Sequence, residues 1–151
     1  MPGRGTSQVQ RPLRVAVAED DDEQRAALAE ALEGEGFEVV SFEDGSELVD
    51  YFSLAGGRVR WPDAIVTDLG MPGRTGLEAI EVARRRGAEA PVFIVTGTSD
   101  AFVRTEAARL GITLVLLKPI NVERLAQAIW QIAHVHADRS DPSDDGVAPS
   151  R

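Results

Sequence analysis

The chain has 151 residues, 43% hydrophobic and 27% charged, the proportions of a soluble globular protein able to bury a proper core. Its formal net charge of -9 argues against broad binding to nucleic acid or a membrane surface, both of which are anionic, and fits a cation or a basic partner. The absence of cysteine excludes a disulfide framework and thiolate chemistry, and no apolar run approaches the roughly 20 residues that span a bilayer.

Residues 1–12 are polar and Gly-rich, with no apolar core for a signal peptide. They are expected to form a flexible leader on a cytoplasmic protein. Leu13 to Ala18 reads as a first strand, with Val15 and Val17 on one face and Ala16 and Ala18 on the other. It runs into Glu19-Asp20-Asp21-Asp22. A helix follows, carrying Leu28, Ala31 and Leu32 at helical spacing, capped by Asp21 or Asp22 and stopped by Gly34 and Gly36. Phe37 to Phe42 alternates as a second strand, and Ser46 to Leu54 is a second helix.

Ala64 to Asp68 is an apolar run ending in one aspartate, and Gly70, Pro72 and Gly73 follow at once. Alone, Asp68 has a second reading as the cap of the following turn. A helix from Thr75 or Gly76 to Arg86 puts Leu77, Ile80 and Val82 or Ala83 inward. Val92 to Val95 is a fourth strand, followed by Thr96-Gly97-Thr98 and a helix capped by Ser99 or Asp100 that ends at Leu110-Gly111. Ile112 to Leu117 is a fifth strand, closed by Lys118-Pro119. Asn121 caps a last helix to about residue 137, with Leu125, Ile129, Ile132 and Ala133 inward. Residues 138–151 are rich in Ser, Asp, Pro and Gly and are expected to be a disordered tail.

Five strands alternating with five helices through short connections predict an α/β fold: a doubly wound, flavodoxin-like parallel sheet of order 2-1-3-4-5. Its switch point lies between strands 1 and 3, so Glu19, Asp20 and Asp68 should converge there. Three carboxylates in one crevice call for compensation, which a hard divalent cation supplies. Mg²⁺ suits the donor set, with Asp20 and Asp68 as direct ligands, Glu19 through water and the Gly70 carbonyl as a further ligand; calcium would want more oxygens. Thr96 and Lys118 stand at the ends of strands 4 and 5. A lysine, a hydroxyl and a metal around one aspartate suit an aspartyl phosphate, because carboxylates serve as phosphoryl acceptors.

Four motifs in order, each at a strand end, carry a family resemblance: Val17-Ala18-Glu19-Asp20, Asp68-Leu69-Gly70-Met71-Pro72-Gly73 with Gly76, Val95-Thr96-Gly97, and Lys118-Pro119. Over residues 13–137 the chain resembles the response-regulator receiver domain of two-component signalling. The resemblance implies that Asp68 accepts phosphate from the phosphohistidine of a histidine kinase or histidine phosphotransfer protein. It implies Mg²⁺ at Glu19 and Asp20, Lys118 and Gly97 beside the phosphoryl oxygens, Thr96 turning to hydrogen-bond them, and a cis peptide at Lys118-Pro119. It also implies a monomer or weak dimer that signals to a downstream protein, without nucleic-acid or membrane binding and without activity beyond its own phosphorylation and dephosphorylation. Ala101, Arg104, Thr105 and Ala108, with Val115, are the candidate output surface, or simply a solvated face.

Two departures from the family pattern matter. Where the family often has an aromatic ring three residues before the lysine, this chain has Val115, so signalling is expected to run through the backbone around Thr96 and the fourth helix. Side chains two places after the acceptor and after the threonine tune phosphate loss in the family; here those are Gly70 and Thr98. A receiver cut from a hybrid kinase or larger regulator is an alternative. A haloacid-dehalogenase-like phosphatase would want a second aspartate where Gly70 stands, and a flavodoxin-like cofactor binder would have its phosphate repelled by Glu19 to Asp22. Arg84 to Arg86 read as an exposed helix end suited to the dipole. His134 and His136 lie two apart on a helix, too divergent for a metal pair.

Overall fold

A computed structural model of the protein describes residues 11–54, 60–69, 76–97 and 101–139, with side chains as far as residue 133. Strands and helices alternate within them: β1 (Arg14–Ala18), α1 (Asp22–Gly34), β2 (Glu38–Phe42), α2 (Gly45–Leu54), β3 (Ala64–Asp68), α3 (Gly76–Arg85), β4 (Val92–Thr96), α4 (Ala101–Leu110), β5 (Leu114–Leu117) and α5 (Val122–Arg139). The strands form one sheet of order β2-β1-β3-β4-β5, and every neighbouring pair is parallel. This is the doubly wound architecture expected from the sequence.

The period of two in each strand sorts its side chains between two apolar layers. Val15, Val17, Val66, Phe93 and Val95 pack against Leu32 of α1 and Leu125, Ile129 and Ala133 of α5. Ala16, Ala18, Ile65, Val92 and Ile94 pack against Leu48 and Phe52 of α2, Ile80 and Ala83 of α3, and Leu110 of α4. The central strands β1, β3 and β4 are buried almost throughout, whereas β5 at the edge is half exposed.

Helix ends follow from local chemistry. Asp21 caps α1 by accepting from the Gln24 N–H at 2.9 Å, Asp44 caps α2 through the Glu47 N–H at 2.9 Å, and Asn121 caps α5 through the Arg124 N–H at 3.1 Å. Three helices close alike: Gly36, Gly87 and Gly111 take positive φ, and the next residue's N–H returns to the carbonyl five places back. That closure uses the Phe37 and Ile112 N–H groups, which is why β2 and β5 begin later than the apolar pattern suggests.

The 84–86 run is exposed at Arg85 and Arg86 as expected, but Arg84 and Arg86 are also ties to other elements. The Arg84 guanidinium donates to the carbonyls of Ala88, Ala90, Leu110 and Gly111, joining α3 to the end of α4. Arg86 donates to Phe52 and Ser53 at the end of α2 while remaining exposed, as Arg85 is. Ile132, expected inward, is 36% exposed, because it falls at the solvent edge of a stripe centred on Leu125, Ile129 and Ala133. Trp130 is part exposed and stacks on Phe37 at 5.1 Å, and Trp61 lies against Phe52 at 6.1 Å.

Candidate functional site

The carboxyl ends of β1, β3, β4 and β5 lie side by side along one edge of the sheet; β1 delivers Glu19 and Asp20, and the other three deliver one polar side chain each. Glu19 leaves β1 with its N–H bonded to the Phe42 carbonyl at 3.1 Å, which turns its side chain inward; it is only 5% exposed. Asp20 beside it is exposed. Asp68 is the last residue of β3, and its side chain is 12% exposed. One oxygen from each of Glu19, Asp20 and Asp68 lies within 4.8 Å of the others, so the three predicted carboxylates do converge.

Lys118 enters from β5. Its N–H donates to the Thr96 carbonyl at 2.8 Å, pinning the end of β5 to the end of β4, and the following Lys118-Pro119 peptide is cis, as the resemblance implied. The ammonium donates to Asp68 Oδ2 at 2.6 Å, Gln24 Oε1 at 3.2 Å and Glu19 Oε1 at 3.3 Å. Thr96 is buried at the end of β4 and lines, with Asp68 and Gly97, a groove of about 560 Å³ between α3 and α4. Ala101, Arg104, Thr105 and Ala108 are exposed on α4, while Val115 is half-buried against the core. Gly70 to Gly73 and Thr98 to Asp100 lie outside the described residues, as do the leader to residue 10, the tail from residue 140, and the side chains of His134 and His136.

Two supports, Thr67 and Gln24, were not singled out from the sequence. The fully buried Thr67 hydroxyl donates to the Asp68 carbonyl at 3.1 Å, and Gly76, the first residue of α3, sits directly against both. Gln24 is the other; an exposed glutamine in a helix gives no signal until β5 is folded beside it.

Burial pushes the Glu19 carboxyl up, and the charge of Asp68 adds to it; the Asp21 N–H and Lys118 pull the other way without prevailing. Burial also works against the charge on Lys118, but its hydrogen bond to Asp68 and the charges of Asp68 and Glu19 outweigh that, so its pKa is raised. The site therefore combines a buried acid that resists ionisation with a firmly charged ammonium. Hard oxygens at this spacing, short of positive charge, are a donor set that fits Mg²⁺.

The sign of the pH dependence follows. A carboxyl whose folded pKa is raised costs stability above that pKa, and the cost disappears as pH falls through the folded value. A cation relieves this cost when Glu19 is ionised and competes with protons when it is not. Mg²⁺ should therefore raise the Tm most near neutral pH, by the equivalent of about 2.7 kcal/mol at a hundred times Kd. The gain should shrink on acidification into the raised range of Glu19. Calorimetric melts with and without Mg²⁺ across pH check this, and a gain independent of pH would contradict it.

A flavodoxin-like sheet with an acidic cluster and a lysine at its switch point places the chain among the open α/β domains that carry their sites at the carboxyl ends of the strands. The family model described as "Response regulator receiver domain" matches residues 15–130, and the chain belongs to that family of signalling domains. It is 36% identical over 120 residues to the transcriptional regulatory protein PdtaR of Mycobacterium tuberculosis, covering 78% of this chain and 55% of that one. It is 32% identical over 118 residues to the Regulator of RpoS of Escherichia coli, covering 78% of this chain and 34% of that one. The chain thus spans between a third and a little over half the length of these curated relatives. In fold it is similar to a CheY-like receiver domain protein from Methanospirillum hungatei, with a TM-score of 0.77 at 19% identity over 85% of this chain and 99% of that one. Among the described residues no helix is long and apolar enough to cross a membrane.

Proposed function

We propose that the chain is a phosphorylation-dependent switch of a two-component relay, with Asp68 as the phosphoacceptor. The observation that carries this is the 2.6 Å contact between Lys118 Nζ and Asp68 Oδ2 beside three clustered carboxylates. Asp68 Oδ1 or Oδ2 attacks the phosphorus of a phosphohistidine on a kinase or phosphotransfer protein; the P–N bond breaks and the imidazole leaves with its electron pair, taking a proton from solvent. Asp20 and Asp68, with Glu19 through water and the Gly70 carbonyl, would hold Mg²⁺, which when bound neutralises charge on the phosphoryl oxygens.

The remaining roles belong to the chain's own groups. The Lys118 ammonium sits where a phosphoryl oxygen would arrive, so it offers its charge without reorganisation. Thr96 lines the 560 Å³ groove with Asp68 and would turn its hydroxyl to the phosphate, together with the Gly97 N–H. That turn would be transmitted through α4, whose exposed Ala101, Arg104 and Thr105 would meet a downstream protein; Val115, half-buried, follows rather than swings.

Incubation with acetyl phosphate and Mg²⁺, followed by intact mass measurement, tests the proposal. One phosphate adduct is expected on the wild-type chain and none on Asp68→Asn. No adduct on the wild type, together with no Mg²⁺ binding, would reject it.

A further inference from the structure

The Lys118 ammonium has three protons and faces three acceptors, Asp68, Gln24 and Glu19. Two of these belong to the acidic cluster. A divalent cation gathered by that cluster draws on the same carboxylate oxygens and repels the ammonium, so both charged contacts weaken when the cation binds. The carboxamide oxygen of Gln24 carries no net charge and lies outside the cluster. It is the acceptor that the cation leaves to the lysine.

The backbone of Gln24 is tied through Asp21 to Glu19. Its N–H is accepted by the capping Asp21 at 2.9 Å, and the Asp21 N–H is accepted in turn by Glu19 Oε2 at 3.1 Å. Hydrogen bonds therefore run from Glu19 through the first turn of α1 to Lys118 and back to Glu19 at 3.3 Å, a closed ring joining the ends of β1 and β5. Its side chain borders a groove of about 470 Å³ walled by Ala27, Leu28, Ile120 and Val122.

We propose that Gln24 is a positioning residue that keeps the Lys118 ammonium over the Asp68 carboxylate while a divalent cation occupies the acidic cluster. This rests on Asp68 being the phosphoacceptor. It places the ammonium before the phosphoryl group arrives, where a small misplacement costs rate more than affinity.

The test is Gln24→Met, unbranched, of similar length and without a hydrogen-bonding oxygen. Mg²⁺ affinity by calorimetry should be no weaker than in the wild type, because an ammonium released on binding opposes the cation less. At saturating Mg²⁺, phosphoryl incorporation from acetyl phosphate should slow roughly three- to tenfold, in the rate at saturating donor rather than in the half-saturating concentration, the range for a part-exposed hydrogen bond to a charged group. In a Lys118→Met background Gln24→Met should cost nothing further, closing a double-mutant cycle. Independently of phosphorylation, the ¹⁵Nζ signal of Lys118 should stay protected through a Mg²⁺ titration of the wild type and be lost on cation binding in Gln24→Met.

A wild-type rate with an intact ammonium signal in Gln24→Met overturns the proposal while a labelled Asp68 leaves the phosphoacceptor reading standing. An equal loss in the Lys118→Met background also overturns it, since Gln24 would then act on something other than the lysine. If the wild-type chain takes no phosphate, the phosphoacceptor reading fails, and the ammonium signal alone then decides whether Gln24 holds Lys118.

Discussion

Gly76→Ala is expected to lower both stability and phosphoryl incorporation sharply, although residue 76 touches no phosphate. A Cβ there would lie 2.6 Å from the Asp68 carbonyl oxygen and 2.6 Å from Thr67 Oγ1, closer than real contacts allow. Neither neighbour yields easily. β3 is paired on both sides, to β1 and to β4, and Thr67 is fully buried with its hydroxyl bonded to the same carbonyl. The start of α3 must back away or the end of β3 must bend. Overpacking of this kind costs about 1–3 kcal/mol. Either movement shifts the Asp68 carboxylate off its 2.6 Å contact with Lys118, and a displacement near 1 Å is worth about a hundredfold in rate. Gly34→Ala is the matched control, because nothing lies within 4 Å of its added Cβ; it should melt at or slightly above the wild-type temperature. If Gly76→Ala melts with Gly34→Ala and takes phosphate at the wild-type rate, α3 does not position the acceptor.

Lys118→Met should show effects of opposite sign on metal binding and on phosphorylation. Without the ammonium, Asp68 and Glu19 keep their mutual repulsion and lose the group that bridges them. The metal-free variant should lose roughly 1–3 kcal/mol, the range for leaving a charged hydrogen-bonding group unsatisfied, discounted toward the lower end because Lys118 is 30% exposed. Mg²⁺ no longer competes with a fixed cation, so its Kd should tighten and its stabilisation should exceed that of the wild type. Phosphorylation should nevertheless fall about 10²- to 10³-fold, as removal of one preorganised donor to developing charge does elsewhere. Calorimetric titration and rates of acetyl phosphate labelling separate the two effects. Unchanged Mg²⁺ affinity with undiminished labelling would mean that Lys118 merely decorates the turn.

The parts of this protein that were legible in its sequence are those governed by short-range rules. The apolar runs of β1, β3 and β4 identify themselves because both faces of a parallel sheet are covered, and their ends then carry Glu19, Asp68 and Thr96 to one place by topology alone. Asn121 and Asp21 cap the helices they precede in sequence. What was not legible depends on pairings distant in the chain. Arg84 and Arg86 look like a solvated helix end until their guanidinium groups meet the carbonyls of Leu110 and Phe52. Gln24 looks like surface until Lys118, 94 residues away, is folded against it. Ile132 shows the limit of periodicity: spacing gives the stripe on α5, not how far the sheet extends beneath it.

Reductive trapping tests the central claim most directly. Acetyl phosphate with Mg²⁺, then borohydride, converts an aspartyl phosphate to homoserine, which peptide sequencing by mass spectrometry locates. The account predicts homoserine at position 68 and nowhere else, dependent on Mg²⁺. Homoserine at Asp20 or another carboxylate, or none at position 68 despite a phosphate adduct on the intact chain, would contradict it.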